Sequence, residues 1–486
     1  MVSGFIPRSA EALIPRTFDA TITRAGLFGV FAVACLMPMQ NDTWWHLRAG
    51  QEMWARRFVM MFDEFSFTTA GASWPNHEWL SEVVFYGIYR LGGLPALTFL
   101  AAALVTAAVV LSWRLMAGTP TQRFLLLAVA LTSVVQVWTV RPHVFTLVLF
   151  MVVVHLLVRG RYWPIPLLFV PWANLHGGVA LGLVALAGAT AGRFYLSRFS
   201  GIAPLVLVSC ASFAATFLTP LGGGLWWTIP ESVEKSTLNR IVEWRPPSLM
   251  DADYLAFWLV AAALLATTWI FRRSIRDREH VTVLAIALVV LPLAVRYSRN
   301  TAPFLLVAVP ALTMNIAPWL ARWRESRKGE NARLNAAAFV SVAILCVGTP
   351  IVAWTGPAAR LQWQPIPHSV AAEAEACGDR VYNTYSEGGY LIWFAPRVRV
   401  FIDSRQDPYS LAFVQEYIRR EAAGDYRPLF DRYGISCAVL TLSSPTAARL
   451  EADGWRARVR TDGWVVLQDP SAAARTISKE LSIAER

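Results

Sequence analysis

Long apolar runs fill the chain as far as residue 354 and predict helices that cross a membrane. The run 94–113 carries no charged residue, and 255–271, 301–320 and 335–354 are similar. A hydrocarbon core about 30 Å thick needs about 20 apolar residues of helix, many more than a barrel strand uses. Because only helices and closed barrels cross lipid, the sequence predicts an α-helical polytopic membrane protein.

The complete pattern predicts about 11 spans. They are 25–40, 94–113, 124–140, 144–158, 164–175, 177–192, 202–219, 255–271, 281–295, 301–320 and 335–354. The short pair 164–175 and 177–192 could instead be a re-entrant hairpin, which leaves the parity unchanged. We interpret the amphipathic segment 78–93 as an interfacial helix, because counting it as a span would place the later arginine clusters outside.

Composition and charge agree with this topology. Hydrophobic residues make up 55% of the chain and charged residues 16%, against about 25% charged residues in soluble domains. The net charge of +11 comes from arginines that flank alternate apolar runs, which places the segment 1–24 in the cytoplasm. These arginines form no continuous stripe, so no nucleic-acid partner is expected.

The more polar tail, 355–486, is predicted to be a soluble α/β domain on the outer face. Its pattern predicts strands at 380–385, 397–403, 435–442 and 464–468 and helices at 411–420 and 445–452. Cys377 and Cys437 both fall in this domain. They could pair in an oxidising compartment or remain two thiols.

The first outside loop, 41–93, holds the densest group of polar and aromatic residues. Asp42 directly follows the first span, and His46 comes four residues later, on the same face of a helix. Trp45 and Arg48 of the same segment, with His77 further along the loop, are candidates for substrate binding. An acid and an imidazole on one face can share a proton or a metal ion, so Asp42 is a candidate base with His46 in reserve. The plainer interpretations are that Asp42 only caps the helix and that the tryptophans only form an aromatic belt.

The other outside ends repeat this mixture of basic, aromatic and acidic residues. The first loop also holds His77 and Glu78, and Glu78 is a further reserve base. Later connections supply the remaining candidates for substrate binding, which are Arg141, His143, His176, Arg245, Arg296 and Arg299. Guanidinium groups match the oxygens of a phosphate. Capping, packing or lipid binding would explain each residue alone, but their common side of the membrane favours a site.

Taken together, these features resemble the C-type (GT-C) superfamily of membrane glycosyltransferases. The general pattern covers residues 20–200. A closer likeness, to a bacterial branch of the superfamily, extends over nearly the whole chain. It rests on the segments 42–47, 76–80, 141–143, 172–177, 388–393 and 401–405.

The resemblance implies a GT-C-like membrane domain over 25–354 and an enzyme that uses a polyprenyl-phosphate-linked sugar donor. Such an enzyme would transfer a hexosyl or pentosyl unit to a glycan, lipid or protein acceptor at the periplasmic face of a bacterial inner membrane. Asp42 matches the acidic residue of the first loop, which acts near the acceptor or a metal in that superfamily. Asn41 stands where the well-studied families have a second acidic residue, so a divalent metal near Asp42 is left open.

Two other classes of protein fit the same pattern. A non-catalytic GT-C-like scaffold in envelope assembly would bind lipid at the outer face without turnover. A lipid-sugar flippase or transporter would need polar residues through the membrane thickness and matching repeats. Here the spans are mostly apolar, with polar groups at one end, so the glycosyltransferase is the favoured interpretation.

Overall fold

A computed structural model describes residues 15, 17–239, 241–322, 331–356, 358–461 and 463–471. Most of the predicted N-terminal segment and part of the basic connection after residue 322 lie outside the described residues. The chain forms two compact units. The membrane unit comprises Met1–Pro38, Leu91–Gly223 and Val242–Leu361, and the loop–tail unit comprises Met39–Arg90, Gly224–Ile241 and Gln362–Arg486.

The membrane unit is built from helices, and each predicted span overlaps one, although the span 124–140 is α-helical only as far as Leu131. The helices are Phe18–Cys35, the later part of Trp79–Leu115, Pro120–Leu131, His143–Val158, Ile165–Leu175, Ala180–Ser197, Ala203–Ala215, Leu255–Phe271, Arg278–Arg296, Thr301–Asn315, Ala317–Arg322 and Ala332–Thr355. Short 3₁₀ turns connect them at Val135–Val137, Gly177–Val179, Gly222–Gly224, Val242–Trp244, Ala252–Tyr254, Ser298–Asn300 and Ala358–Leu361.

Among the described residues, six helical segments are long and apolar enough to cross a bilayer. They are Phe18–Cys35, Trp79–Leu115, Gly177–Ser197, Ala252–Phe271, Arg278–Arg296 and Ala332–Thr355. Several other predicted spans are helices shorter than a bilayer crossing requires. The polytopic membrane character is therefore supported, while the count of about 11 spans stays a prediction.

The predicted interfacial helix and the second span form one element, Trp79–Leu115, with an interruption at two glycines. Gly92 and Gly93 depart from helical geometry, and Gly93 has a φ of 62°, which favours glycine. The boundary between the two units falls beside this interruption, after Arg90. The amphipathic and apolar parts of the sequence are thus separated by a kink.

The loop–tail unit combines the first outside loop with a later helix and the tail. Its helices are Asn41–Arg56, the start of Trp79–Leu115, Leu225–Leu238, His368–Cys377, Gly388–Phe394, Leu411–Ala423, Arg427–Tyr433 and Pro445–Ala452. Arg380–Val381 and Arg399–Val400 pair in parallel. A three-stranded antiparallel sheet has Trp464–Gln468 in its centre, between Cys437–Thr441 and Arg456–Thr461.

The first loop is packed into the same core as the tail. Ser66 bridges Val400 in parallel, and Trp45 and Trp74 are buried with Val400 and Val439 in one hydrophobic cluster. The alternative of a lipid-facing aromatic belt is therefore wrong for Trp45 and Trp74, which are 6% and 2% exposed. Their burial in protein stabilises the loop on the tail.

Several details of the tail differ from the sequence pattern. The first two strands have two residues each, because irregular segments follow both of them. The strand Arg456–Thr461 was not predicted, since its residues are mostly exposed and charged. Cys377 and Cys437 form a disulfide with their Cα atoms 6.0 Å apart, which selects one of the two alternatives for this pair.

Candidate functional site

Asp42 lies in the first turn of Asn41–Arg56 and accepts hydrogen bonds from two side chains. The Ser404 hydroxyl donates to its Oδ1 atom, and the Trp45 indole N–H lies 3.4 Å from the same atom. The N-cap residue is Gln40, so the interpretation of Asp42 as the capping residue is wrong. A carboxylate in a first turn is favoured by the helix dipole, and here it contacts the tail as well.

His46 lies between two other carboxyl groups. Its Nδ1 atom is 3.0 Å from Oε1 of Glu82, and its Nε2 atom is 3.6 Å from Oε2 of Glu78. The Asn76 amide donates to the second oxygen of Glu82 at 2.7 Å. His46 and Glu82 are buried, at 2% and 0% exposure. Such a fixed imidazole can hold or pass a proton, but its close partners are Glu78 and Glu82.

A fully buried ion cluster flanks Ser404. Arg405 donates to both oxygens of Asp403 at 2.8 and 2.7 Å and to Asp63 of the first loop at 2.7 Å. Tyr409 donates to Asp403 at 2.8 Å. Burial opposes the charged form of Asp63, yet Arg405 and Ser66 hold the pKa of that carboxyl below its ordinary value. This cluster fixes the backbone on both sides of Ser404.

Two further acidic residues of the tail are withdrawn from solvent, Glu387 buried and Asp407 partly buried. Asp407 accepts from Ser232 at 2.5 Å, which ties the tail to Leu225–Leu238. Glu387 is 8% exposed, and burial raises its pKa to about 7. Burial, with the negative charges of Glu387 and Asp42, also raises the pKa of Tyr390 to about 12. Tyr390 therefore lies near the carboxyl groups of both Glu387 and Asp42.

The helix Gly388–Phe394 approaches the start of Asn41–Arg56 at very short range. A Cβ on Gly389 would lie 2.3 Å from the backbone oxygen of Asn41. Only glycine allows the two backbones to come this close. The glycine pair of the segment 388–393 therefore has a packing role beside Asp42.

In the membrane unit, Arg141 forms an ion pair with Glu243, and both side chains are partly exposed, at 18% and 29%. Burial acts to raise the pKa of Glu243, but the positive charges of Arg141 and Arg299 outweigh it and lower the pKa to about 2. Glu243 therefore stays ionised and partly neutralises two arginines. A phosphate could replace the carboxylate of Glu243, because a guanidinium donates hydrogen bonds to either anion.

Arg299 lies in the same region as His176 and His143 of the membrane unit. Arg299 stacks on the Trp244 ring at 4.4 Å and lies 3.3 Å from Nε2 of His176. Nδ1 of His176 is 2.8 Å from the Thr146 hydroxyl. His143 donates from Nε2 to the Val137 carbonyl oxygen at 2.5 Å, which is a packing role.

Four predicted binding residues have more ordinary surroundings. Arg48 pairs with Glu52 one turn along its helix at 2.8 Å. His77 lies 3.8 Å from Glu78. Arg296 is exposed and lies 5.0 Å from the centre of the Tyr297 ring, and Arg245 is also exposed.

The chain is similar to known proteins in structure but not in sequence. No protein-family model matches the chain, and no curated protein sequence matches it. Among solved structures, the oligosaccharyltransferase AglB of Archaeoglobus fulgidus, in complex with an inhibitory peptide and a dolichol-phosphate, superposes with a TM-score of 0.54. The alignment has 11% identity over 86% of this chain and 69% of AglB. ArnT of Cupriavidus metallidurans, bound to undecaprenyl phosphate, superposes with a TM-score of 0.51 and 15% identity over 91% of this chain and 96% of ArnT.

Both structures are GT-C glycosyltransferases. The chain has the GT-C fold. The resemblance drawn from the sequence is thereby confirmed for the architecture. At these identities the likeness is one of fold, so residue roles rest on this chain's own geometry.

Within the GT-C fold, the structure assigns the predicted residues to two groups. Asp42, Trp45, His46, Arg48, His77 and Glu78 belong to the loop–tail unit, and Arg141, His143, His176, Arg245, Arg296 and Arg299 belong to the membrane unit. Asp42 and His46, expected to act together, have different close partners, namely Ser404 and Glu82. Their catalytic roles stay predictions.

Sequence reasoning missed Glu82 and Glu387 and named Ser404 only within a motif. Glu82 could have been found, because it follows Glu78 by one helical turn and so lies on the same face. Nothing local distinguishes Glu387 or Ser404. In the described part of the chain, no group of three or more His, Cys, Asp or Glu side chains is arranged to hold a metal ion.

Proposed function

We propose that the chain is a membrane glycosyltransferase that moves a sugar from a polyprenyl-phosphate-linked donor to an acceptor at the periplasmic face. The observation that carries this proposal is the GT-C fold with a hydrogen-bonded acidic residue, Asp42, at the start of the first outer helix. Glycosyl transfer to a hydroxyl needs a base near the acceptor, and Asp42 is placed on a rigid helix for that role.

The proposed reaction is a substitution at the anomeric carbon of the donor. The acceptor oxygen forms a bond to that carbon while the bond from carbon to the phosphate oxygen breaks. The electron pair of the broken bond leaves with the polyprenyl phosphate, and Asp42 takes the acceptor proton. Such proton transfer contributes about 10²–10⁴-fold to rate, and positioning of the two substrates supplies much of the rest.

Phosphate recognition is assigned to Arg141 and Arg299 of the membrane unit. Arg141 pairs with Glu243 and is not fully buried. Arg299 contacts Trp244 and His176. An incoming phosphate would compete with Glu243 for Arg141 and stabilise the leaving group by charge. We keep His46, Glu78, Trp45, Arg48, His77, His143, His176, Arg245 and Arg296 as secondary candidates for the reserve-base and binding roles predicted above.

The disulfide supports an outer location for the tail. Disulfides form and persist in oxidising compartments such as the bacterial periplasm, and Cys377 and Cys437 are paired. A bacterial inner membrane with a cytoplasmic N-terminus is the setting that fits both this bond and the arginine distribution. The acceptor is proposed to be a glycan, lipid or protein hydroxyl at that face.

The test begins with donor binding to purified protein in nanodiscs. A ligand that binds only the folded state raises thermal stability, so a panel of polyprenyl phosphates and polyprenyl-phosphate sugars should include one that raises Tm. Arg141→Ala should reduce that shift, and Asp42→Asn should keep it. With the binding donor, transfer to a panel of hydroxyl acceptors should fall by about 10²-fold or more in Asp42→Asn.

Each other outcome has a defined meaning. Binding without transfer to any acceptor would favour the scaffold, and movement of the intact lipid-sugar across vesicles would favour the flippase. Full transfer by Asp42→Asn would remove Asp42 from the proposed mechanism. A divalent metal near Asp42 is also proposed for testing, although no step above uses one, and chelation followed by the same transfer assay decides whether activity depends on it.

A further inference from the structure

Ser404 of the tail contacts the proposed base directly, although 362 residues separate the two in sequence. Its hydroxyl accepts the Trp45 indole N–H at 3.1 Å and donates to Oδ1 of Asp42. Because the indole N–H occupies a lone pair of the hydroxyl oxygen, the hydroxyl proton is directed toward the carboxylate. The same indole N–H also lies 3.4 Å from Oδ1 of Asp42, so the three side chains form a triangle in which both donors point toward the carboxylate.

The neighbours of Ser404 hold it in place. Asp403 and Arg405 have fully buried side chains that bond to each other, and Arg405 also bonds to Asp63. The Ser404 carbonyl oxygen accepts from the Tyr385 hydroxyl at 3.2 Å. Because both of its chain neighbours belong to this buried cluster, Ser404 has little freedom to move, and its hydroxyl is a fixed hydrogen-bond donor.

Resting on the function proposed above, we infer that Ser404 is a positioning residue that orients the carboxylate of Asp42 for proton transfer. A carboxylate on a side chain with two rotatable bonds visits several orientations, and only some of them suit proton transfer from an acceptor. A fixed hydroxyl donor selects one orientation before the acceptor arrives. The tail thus contributes Ser404 to the site of the first loop. Ser404 and Trp45 together orient the carboxylate of Asp42.

The test compares Ser404→Ala, which removes the donor, with Ser404→Thr, which keeps it. Ser386→Ala serves as the control, because Ser386 is an exposed serine of the same tail. We expect Ser404→Ala to lower kcat about tenfold or more while the donor KM changes little, because orientation affects the chemical step. Ser404→Thr should recover most of the rate, and the Tm values of all three variants should stay within a few degrees of the wild type.

A second measurement is independent of catalysis. Hydrogen–deuterium exchange should become faster in peptides covering 41–46 of Ser404→Ala, while peptides covering 427–433 keep the wild-type rate. Wild-type kcat in Ser404→Ala would overturn the inference, as would unchanged exchange at 41–46. Failure of the wild type to transfer sugar would instead count against the proposed function, and the exchange data alone would then decide whether Ser404 holds Asp42.

Discussion

An ion cluster of the loop–tail unit and an ion pair of the membrane unit differ in how far they are buried. In the loop–tail unit, the side chains of Arg405, Asp403 and Asp63 are completely buried and bonded to one another. In the membrane unit, Arg141 and Glu243 form a simple pair with partial exposure. Removing a partner from a buried cluster leaves an unpaired charge without water, whereas a partly exposed pair can exchange one partner for another.

This difference suggests a division of labour. Buried charges hold geometry, and the loop–tail unit uses them to fix the residues beside Asp42. Accessible charges can bind and release a ligand, which is the task proposed for the membrane unit. Mutations in the buried cluster of Arg405, Asp403 and Asp63 should therefore lower stability, whereas mutations of the Arg141–Glu243 pair should change ligand affinity.

The largest effect is expected for Arg405→Met. The substitution leaves Asp63 and Asp403 buried without their cation, so the free energy of unfolding should fall by about 3–5 kcal/mol. Thermal and denaturant unfolding of the purified protein measure this loss. Arg399→Met is the matched control, because Arg399 and Asp379 form an exposed pair worth about 0–1 kcal/mol. Equal losses in the two variants would contradict the contrast between buried and exposed charges.

The disulfide of the tail should have the next largest effect. Cys377 and Cys437 are 60 residues apart, and closing a loop of this size stabilises by about 2–4 kcal/mol. A variant with both residues changed to alanine should unfold at lower temperature, and reductant should lower the Tm of the wild type but not of the variant. Cys210→Ser is the control, because Cys210 is free and exposed. A reductant effect that persists in the double variant would show that another thiol is responsible.

Glu387→Gln should make the stability of the loop–tail unit less dependent on pH. The carboxyl of Glu387 ionises near 4.5 in an unfolded chain and has a pKa of about 7 in the folded one. Between these values the folded state binds more protons, so this group lowers stability as pH rises from about 4.5 to about 7. The neutral amide avoids that loss and should raise stability at pH 8 by roughly 1–3 kcal/mol.

Melting curves of wild type and Glu387→Gln at pH 5 and pH 8 provide the measurement, with the exposed Glu234→Gln as control. The gain should be present at pH 8 and largely absent at pH 5. A gain of equal size at both pH values would mean that ionisation of Glu387 is not its cause.

The smallest effect is expected for Glu243→Gln, and it concerns the affinity for polyprenyl phosphate. Removing the anion that pairs with Arg141 leaves that guanidinium available to a phosphate, so polyprenyl phosphate should bind about tenfold more tightly, or about 1.4 kcal/mol. Stability at neutral pH should fall modestly, because the lowered pKa of Glu243 means that its carboxylate stabilises the folded state above about pH 4.5. Glu279→Gln, an exposed change in the same unit, should leave binding unaltered. Weaker binding in Glu243→Gln would identify Glu243 as a support for the site and not as a competitor.

The sequence predicted helices well and the candidate site only in part, for a physical reason. Crossing or approaching lipid demands long apolar runs, and that demand is local, so each predicted span overlaps a helix. The helix Gly388–Phe394 was missed because two glycines disfavour a helix start. Close backbone approaches require both of them, Gly388 against Ile402 and Gly389 against Asn41.

Contacts between distant segments left almost no local trace. Asp42 could be named because it follows an apolar run directly, whereas its partner Ser404 is an ordinary serine in a turn. Asp403 and Arg405 both fall in the segment 401–405 that carried the resemblance. Their partner Asp63 could not be predicted from the sequence, because a carboxylate in a loop is usually solvated. Such pairings depend on the tertiary fold as a whole.

The separation between Asp63 and Arg405 also has a consequence for biosynthesis. Their contact joins residues 342 positions apart, and at about 5–20 residues per second a ribosome needs roughly 20–70 s to make the intervening chain. Throughout that interval the first loop has left the ribosome and lacks the arginine that completes its core. Assembly of this region must therefore wait until Arg405 has been made, and a stop anywhere before that residue would leave Asp63 of the first loop without its cation.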